Sequence, residues 1–395
     1  MDGPFPLSSS EQARFHRTLG VVTGVPHWQG PDGRPCAYEP YVREMEVWGR
    51  LFSKVIVCAP RGEGLLPRHQ AAYATDNVEW RLVPYPLEAN AGGPLRRAMR
   101  LPVLAQALRS LYQESDVILL RAPGHPSLLA RLMSPALGGT TITKWAGLFD
   151  AFPGERLPSR LERWLAMRTT RPVLIYGPTP SEKTQFISFP PALMTNEELA
   201  RAHSLGTSRR WEPPWQLLAV GRLLEVKNFM LALRGLAALR MRAPRLDWRF
   251  RLVGDGPEEA ALRTYAADAG IGDRVELVGA LPFRDLQHLY GRAHMVIMPG
   301  VKEGWPKIIA EAWAHGAVPV AAAAGIVPWI MASGDAGSTF DPDPESLSTT
   351  LERLLTDPDA MARASARGLS RARELSLETF GTRLERVLIE TCGVQ

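Results

Sequence analysis

Glu303 and Glu311 are separated by seven residues within the run 298–319, Met-Pro-Gly-Val-Lys-Glu-Gly-Trp-Pro-Lys-Ile-Ile-Ala-Glu-Ala-Trp-Ala-His-Gly-Ala-Val-Pro. A glutamate on a helix is ordinarily a solvated charge, and two at this spacing arise often by chance. Here the pair is framed by breakers. An apolar run at 294–298 reads as a buried strand stopped by Pro299-Gly300, Pro306 suits the first residue of a helix, and Gly316 suits its stop. Residues 300–305 then form a loop feeding a helix N-terminus, where free amides and the helix dipole favour phosphate or a sugar hydroxyl. Glu303 sits in that loop and Glu311 about a turn and a half into the helix.

Fixed cations stand upstream. Gly221-Arg222-Leu223-Leu224-Glu225-Val226-Lys227-Asn228 follows an apolar run at 215–220 that reads as a strand. Arg222 and Lys227 at a strand end suit a diphosphate better than a single carboxylate, although both could be ordinary surface cations. Gly254-Asp255-Gly256-Pro257 follows the next expected strand, and Val278-Gly279-Ala280-Leu281-Pro282 the one after. Each is a weak turn signal alone.

In this order and spacing, across roughly 215–330, the four segments resemble the retaining glycosyltransferases of family 4 (glycosyl transferases group 1). The resemblance implies that Glu303 contacts donor-sugar hydroxyls, that Glu311 holds the nucleotide ribose, and that Arg222 and Lys227 neutralise the leaving diphosphate. It implies donor contacts at Gly30, Gly33, Gly221, Gly254, Leu281, Gly304, Trp305, Pro306, Lys307 and Ile308. The family commonly has Gly where this chain has Asn228, and Asn also tolerates unusual backbone angles. Many relatives carry a His-x-Pro after a first-domain strand. Here Arg121 occupies the His position and His125 follows four residues later, so both are candidates, with a structural role the commoner fate of a lone His in a Pro/Gly loop. The family retains anomeric configuration by attack from the leaving-group face, the diphosphate oxygen taking the acceptor's proton, so no side-chain base is required. No Asp-x-Asp lies beside an expected strand end; Asp341-Pro342-Asp343 reads as a turn. The expectation is no metal and no cofactor beyond the nucleotide-sugar co-substrate.

A chain of 395 residues exceeds one ordinary core and suggests two domains. With 45% hydrophobic and 22% charged residues the composition is that of a soluble globular protein. Residues 1–195 carry 22 Lys/Arg against 16 Asp/Glu, and the remainder 24 against 25, so the first half should meet anionic partners. No recognition motif supports nucleic acid. Cys36, Cys58 and Cys392 give neither a disulfide framework nor a metal-ligand spacing and fit a reducing cytoplasm. Asp2 and Glu11 near the start, without an apolar core, do not read as a signal peptide. The nearly uncharged stretch 312–332 is punctuated by Gly and Pro and does not read as a membrane span.

Strands are expected at 18–23, 54–59, 80–84, 117–121, 140–144 and 173–176, with a turn-rich loop at 24–33 and a helix at 38–52. The second half repeats the alternation, with strands at 215–220, 247–253, 275–278 and 318–321, helices at 228–240, 258–269 and 283–292, and two tail patterns at 343–374 and 377–392. The expected fold is α/β, two Rossmann-like domains facing a central cleft (GT-B): 1–203 for the acceptor, a 204–214 linker, 215–375 for the nucleotide sugar, and a 376–395 helix packing back on the first domain. The partners implied are a nucleotide-diphosphate sugar and a hydroxyl-bearing glycan, glycolipid or small-molecule acceptor. A phosphorylase on the same fold is the enzymatic alternative, and a non-catalytic nucleotide-sugar-binding protein the other.

Helical patterns at 94–112 and 159–170 interleave arginines (Arg96, Arg97, Arg100, Arg109; Arg160, Arg163, Arg168) with large apolar residues. Both could lie on anionic lipid, which would make the protein peripheral on the inner face of the membrane. In the plainer reading the apolar residues face the core and the arginines face water, and Pro102 interrupting the first helix speaks for that.

Overall fold

The computed structural model describes residues 13–394 except 65, 67–69, 86–93, 152–154, 181–182, 193 and 333–334. The leader with Asp2 and Glu11 lies outside the described residues, as do the side chains of Arg96 and Arg97. The chain divides into two compact units, the first running to Ala192 and joined by the chain from Phe380 onward, the second ending at Thr379.

In the first unit the strands are β1 (Phe15–Val22), β2 (Trp28–Gln29), β3 (Pro35–Tyr38), β4 (Phe52–Ala59), β5 (Gln70–Ala72), β6 (Val78–Leu82), β7 (Val117–Ala122), β8 (Thr140–Trp145), β9 (Val173–Ile175) and β10 (Phe186–Ser188). A parallel sheet runs β10-β9-β8-β7-β1-β4-β6. Val55, Ile56, Val57 and Cys58 are all fully buried, the uninterrupted apolar run that a strand covered on both faces requires. The order reverses between β1 and β7, so the loops after these strands open the crevice where ligands of such sheets bind.

The second unit holds β11 (Trp215–Val220), β12 (Trp248–Val253), β13 (Val275–Gly279), β14 (Met295–Met298), β15 (Val318–Ala322) and β16 (Ser338–Phe340), in the order β13-β12-β11-β14-β15-β16 with every pairing parallel. Trp215, Trp248, Phe229, Phe250 and Leu347 anchor the core on one face of this sheet, and Leu218, Val253, Tyr290 and Val296 that on the other. Here the order reverses between β11 and β14. The strands and helices expected between 215 and 321 all form. The helix 283–292 has the expected bounds, Phe283–Arg292.

Three expectations need correction. The loop at 24–33 is not plain loop, because Trp28–Gln29 and Pro35–Tyr38 pair in an antiparallel hairpin completed by β5. The tail pattern at 343–374 is two helices, Pro344–Leu355 and Pro358–Arg373. Asp357 caps the second by accepting from Ala360 N at 2.8 Å, and Pro358 takes its first turn. The segment 204–214 does not mark the division. Thr195 and Glu198 form a reciprocal capping box that starts a helix at Asn196–Gly206. Arg209 then donates to the carbonyls of Gly316 (2.6 Å), Gly291 (2.7 Å) and His315 (2.9 Å), closing the C-terminal ends of two helices. A segment so anchored belongs to the second unit.

Candidate active site

The second unit brings its sequence-marked charges together at the switch point. The loop after β11 carries Arg222 and Lys227, and the loop after β14 carries Glu303. Lys227 Nζ lies 2.6 Å from Glu303 Oε1, with side chains 32% and 14% exposed. Arg222 is exposed at the end of β11. Between the cations the chain makes one turn of 3₁₀ helix, Glu225–Lys227, closed by Asn228 in the left-handed region (φ 55°). That conformation starts the next helix, Phe229–Arg242, without a glycine.

Gly254 holds the neighbouring loop against this one. Its φ is +147°, and a Cβ there would lie 1.8 Å from Gly221 O, so the ends of β11 and β12 meet backbone to backbone. Gly254 N also donates to Gly279 O at 2.9 Å, extending the contact to β13. Glycine is therefore demanded at 254 by close approach and at 221 by its own φ of +154°.

Pro306 is the N-cap of the helix Lys307–Ala314, which starts one residue later than expected; it is buried, with Gly304, Trp305, Lys307 and Ile308 half-buried around it. Gly316 follows the helix at φ +67° and ends it. One turn in, Glu311 Oε2 accepts a hydrogen bond from Tyr290 Oη at 2.7 Å. Burial pushes the Glu311 carboxyl up, and the Tyr290 hydroxyl draws it part of the way back. The Tyr290 ring is fully buried, stacks on His315 at 5.2 Å, and belongs to the apolar cluster on which Leu281 and Ile308 also pack. Glu311 is thus held by a side chain that the sequence did not flag, from the same cluster on which Leu281 and Ile308 pack. A tyrosine at a helix end before a strand carries no motif, and its partner is assigned only by the fold.

The first unit treats its marked residues differently. Gly30 and Gly33 shape the hairpin turn, Gly30 N donating to Arg34 O at 2.8 Å and Gly33 adopting φ +80°. Arg121 is not poised in a loop. It ion-pairs with Glu44, whose other oxygen meets Lys144 Nζ at 2.6 Å, and the three side chains are 10%, 5% and 0% exposed. Burial alone would push the Glu44 carboxyl up, but Arg121 and Lys144 outweigh it and hold the carboxyl at about 2. His27, in the loop after β1, is fully buried between Val25 O (2.9 Å) and Tyr73 Oη (3.0 Å), and burial lowers it to about 4. His125 is the first residue of the helix His125–Leu137, half-buried and lowered by burial and then by Arg156. The turn before it is pinned by Gly124 N donating to Glu162 Oε2 at 2.8 Å.

Residues 207–371 match the family model described as glycosyl transferases group 1. The second unit carries a group 1 domain. A D-inositol 3-phosphate glycosyltransferase of Thermobifida fusca is 33% identical over 215 residues, 52% of this chain and 49% of that one, and one of Frankia alni is 35% identical over 164 residues, 40% of each. The chain spans about half the length, or less, of these relatives. Similarity of fold extends further. The Anabaena Alr3699/HepE structure in complex with UDP superposes with a TM-score of 0.67 at 16% identity, covering 94% of this chain and 99% of that one. The lipopolysaccharide outer core galactosyltransferase WaaB gives 0.67 at 13%, with the same coverage. The fold class is therefore that of GT-B proteins, with the group 1 domain holding Arg222, Lys227, Glu303 and Glu311.

Proposed function

We propose that this protein is a retaining, metal-independent glycosyltransferase that moves a sugar from a nucleotide-diphosphate donor to a hydroxyl-bearing acceptor. The observation that carries the proposal is the meeting of Lys227 and Glu303 at 2.6 Å, from loops 76 residues apart, at the switch point of a group 1 domain. The two curated relatives named above are glycosyltransferases, and a structure of the same fold binds UDP. In this reading the diphosphate enters beside Arg222 and Lys227 and takes over the ammonium, while Glu303 turns to the sugar hydroxyls. Glu311 receives the ribose hydroxyls on its remaining oxygen. Charge growing on the leaving diphosphate is met by the two cations and the start of the helix Lys307–Ala314, each such donor lowering the barrier by about 3–4 kcal/mol. The diphosphate oxygen takes the acceptor proton, so the site requires no separate base. We place the enzyme in the cytoplasm, in peripheral contact with the membrane; no helix among the described residues is long and apolar enough to cross one.

Thermal unfolding in EDTA with UDP, GDP, ADP or dTDP tests the site. One nucleotide at about a hundred times its dissociation constant should add roughly 2.7 kcal/mol. The shift should vanish in Lys227→Ala and Glu311→Ala. If no nucleotide shifts the midpoint with or without metal, the donor-site reading fails. A shift that needs a divalent cation would overturn metal independence alone. NMR of the product anomer decides retention.

A further inference from the structure

The helix Leu157–Ala166 in the first unit turns three large apolar side chains toward water. Leu157, Leu161 and Trp164 are 75%, 44% and 50% exposed, while Glu162 and Ala166 are fully buried. Leu157, Arg160, Leu161, Trp164 and Arg168 follow the spacing i, i+3, i+4, i+7, i+11, which places them along one stripe of helix and its continuation. The plainer expectation therefore holds for Arg160 and Arg168, which face water, and fails for Leu161 and Trp164, which face water too, while Leu165 and Met167 are half-buried. On its inner face Glu162 accepts from the Gly124 amide, and Leu157, Leu161 and Trp164 lie on the side away from it.

Outward-facing apolar residues here form a surface and not a scatter. Leu128 from the helix His125–Leu137 lines the same groove, of about 960 Å³, with Leu157, Leu161, Trp164 and Met167. Leu132, one turn beyond Leu128, is 53% exposed. Among the described residues, the charged ones lining this groove are all arginines, Arg160, Arg163 and Arg168. Arg156, Arg160 and Arg168 are exposed, and the Arg168 guanidinium covers the Trp164 ring at 3.8 Å. The two acids of the segment are committed elsewhere, Glu155 to Arg163 at 2.5 Å and Glu162 to the Gly124 amide.

We propose that this face, Leu157, Leu161 and Trp164 with Arg156, Arg160 and Arg168, docks on an anionic phospholipid surface. A bilayer offers both complements at once, an acyl boundary for the leucines and the indole and phosphates for the arginines. A second copy meeting the same face about a two-fold axis would set arginines against arginines. The inference rests on the peripheral localisation proposed above and not on the transfer chemistry.

Co-sedimentation of the full chain with phosphatidylcholine vesicles, with and without 30% phosphatidylglycerol, tests it. In about 0.1 M salt the anionic vesicles should bind at least tenfold better, and about 0.5 M salt should remove most of that gain. Leu161→Ser/Trp164→Ser and, separately, Arg160→Gln/Arg168→Gln should each weaken binding about tenfold. Met241→Ser, at an exposed residue of the second unit, should leave it unchanged. Far-ultraviolet dichroism and thermal unfolding of each variant show that it is folded. Equal binding to both vesicle types, or variants that bind as the parent does, overturns the proposal. So does a dimer in sedimentation velocity that the Leu161→Ser/Trp164→Ser variant abolishes, since that assigns the face to a second copy. Vesicle binding without any nucleotide-induced thermal shift would leave this proposal standing while the donor site fell.

Discussion

In the first unit, Arg121 near the end of β7 and Lys144 on β8 close onto Glu44 and are cut off from water, the lysine completely. In the second unit, Lys227 and Glu303 meet across the switch point with part of each side chain in solvent, beside an exposed Arg222. The two clusters occupy comparable parts of similar sheets and contain the same kinds of group. Burial separates them. A desolvated charge is held by its partners and is costly to release, whereas a half-solvated pair can exchange one partner for a ligand at little cost. Charges near strand ends are therefore not equivalent signs of a site, and Arg121 reads as a structural cation.

Glu44→Gln should have the largest effect on stability. The substitution keeps the volume and leaves two buried cations facing a neutral amide, so it should destabilise the first unit by about 3–5 kcal/mol. Chemical denaturation with a probe in each unit measures this. A loss below about 1 kcal/mol would mean that the triad is as exchangeable as the Lys227–Glu303 pair.

The converse holds at the second cluster. Lys227→Met or Glu303→Gln should alter unfolding free energy by less than about 1 kcal/mol, because the pair is partly solvated. Sugar transfer should fall about 10²–10³-fold, the equivalent of about 3–4 kcal/mol on the barrier. Steady-state kinetics beside thermal unfolding separates the effects, and a large stability loss with unchanged turnover would reverse the assignment.

Acid sharpens the contrast further. His27 in the first unit and His315 in the second are both fully buried and lowered to about 4, in each case by burial first. Their unfolded pKa is near 6.5, so between pH 6.5 and 4 the unfolded chain binds more protons and stability falls as pH falls. Each can contribute up to roughly 3 kcal/mol to that loss. Glu44 adds a second loss in the first unit alone, from its unfolded range near 4.5 down through about 2. Urea titrations at pH 7, 5.5 and 4.5 should give a flatter pH dependence for His27→Gln in the first unit and for His315→Gln in the second. An unchanged slope would show that the imidazoles are not the groups taking up protons.

Much of this architecture was legible because continuous apolar runs bounded by Gly and Pro leave few choices in a parallel sheet. The strand at 215–220, the glycines at 221 and 254 and the helix 283–292 follow from local pattern alone. The hairpin of β2 and β3 was not legible, since two residues of strand carry no periodicity. The 204–214 segment misled through its Ser, Arg and Pro content, although Thr195 and Glu198 had the spacing of a capping box. That 157–166 turns Leu157, Leu161 and Trp164 outward while Glu162 meets Gly124 is an arrangement that no single-helix pattern encodes. Pairings such as Lys227 with Glu303 follow from strand order, which becomes readable only after the sheet is assembled.

Tyr290 is where fold-assigned pairing has a measurable consequence at the candidate site. Its hydroxyl donates to Glu311 Oε2 and lowers a carboxyl that burial raises. Tyr290→Phe keeps the ring against His315 and removes only that donor. A hydrogen bond to a charged group contributes about 1.5–3 kcal/mol, but it is shared here between stability and ionisation, so a stability loss near 1 kcal/mol is expected. With the donor gone, the Glu311 carboxyl rises further and protonates at higher pH than in the parent. A protonated Glu311 is a poorer acceptor for ribose hydroxyls, so nucleotide affinity should weaken on mild acidification, and earlier in the variant. Calorimetric titration of the nucleotide that shifts the parent's midpoint, repeated from pH 8 to pH 5.5, reads the difference directly. If the two pH profiles coincide, Tyr290 supports the fold and does not set Glu311, and the second cluster consists of Arg222, Lys227 and Glu303 alone.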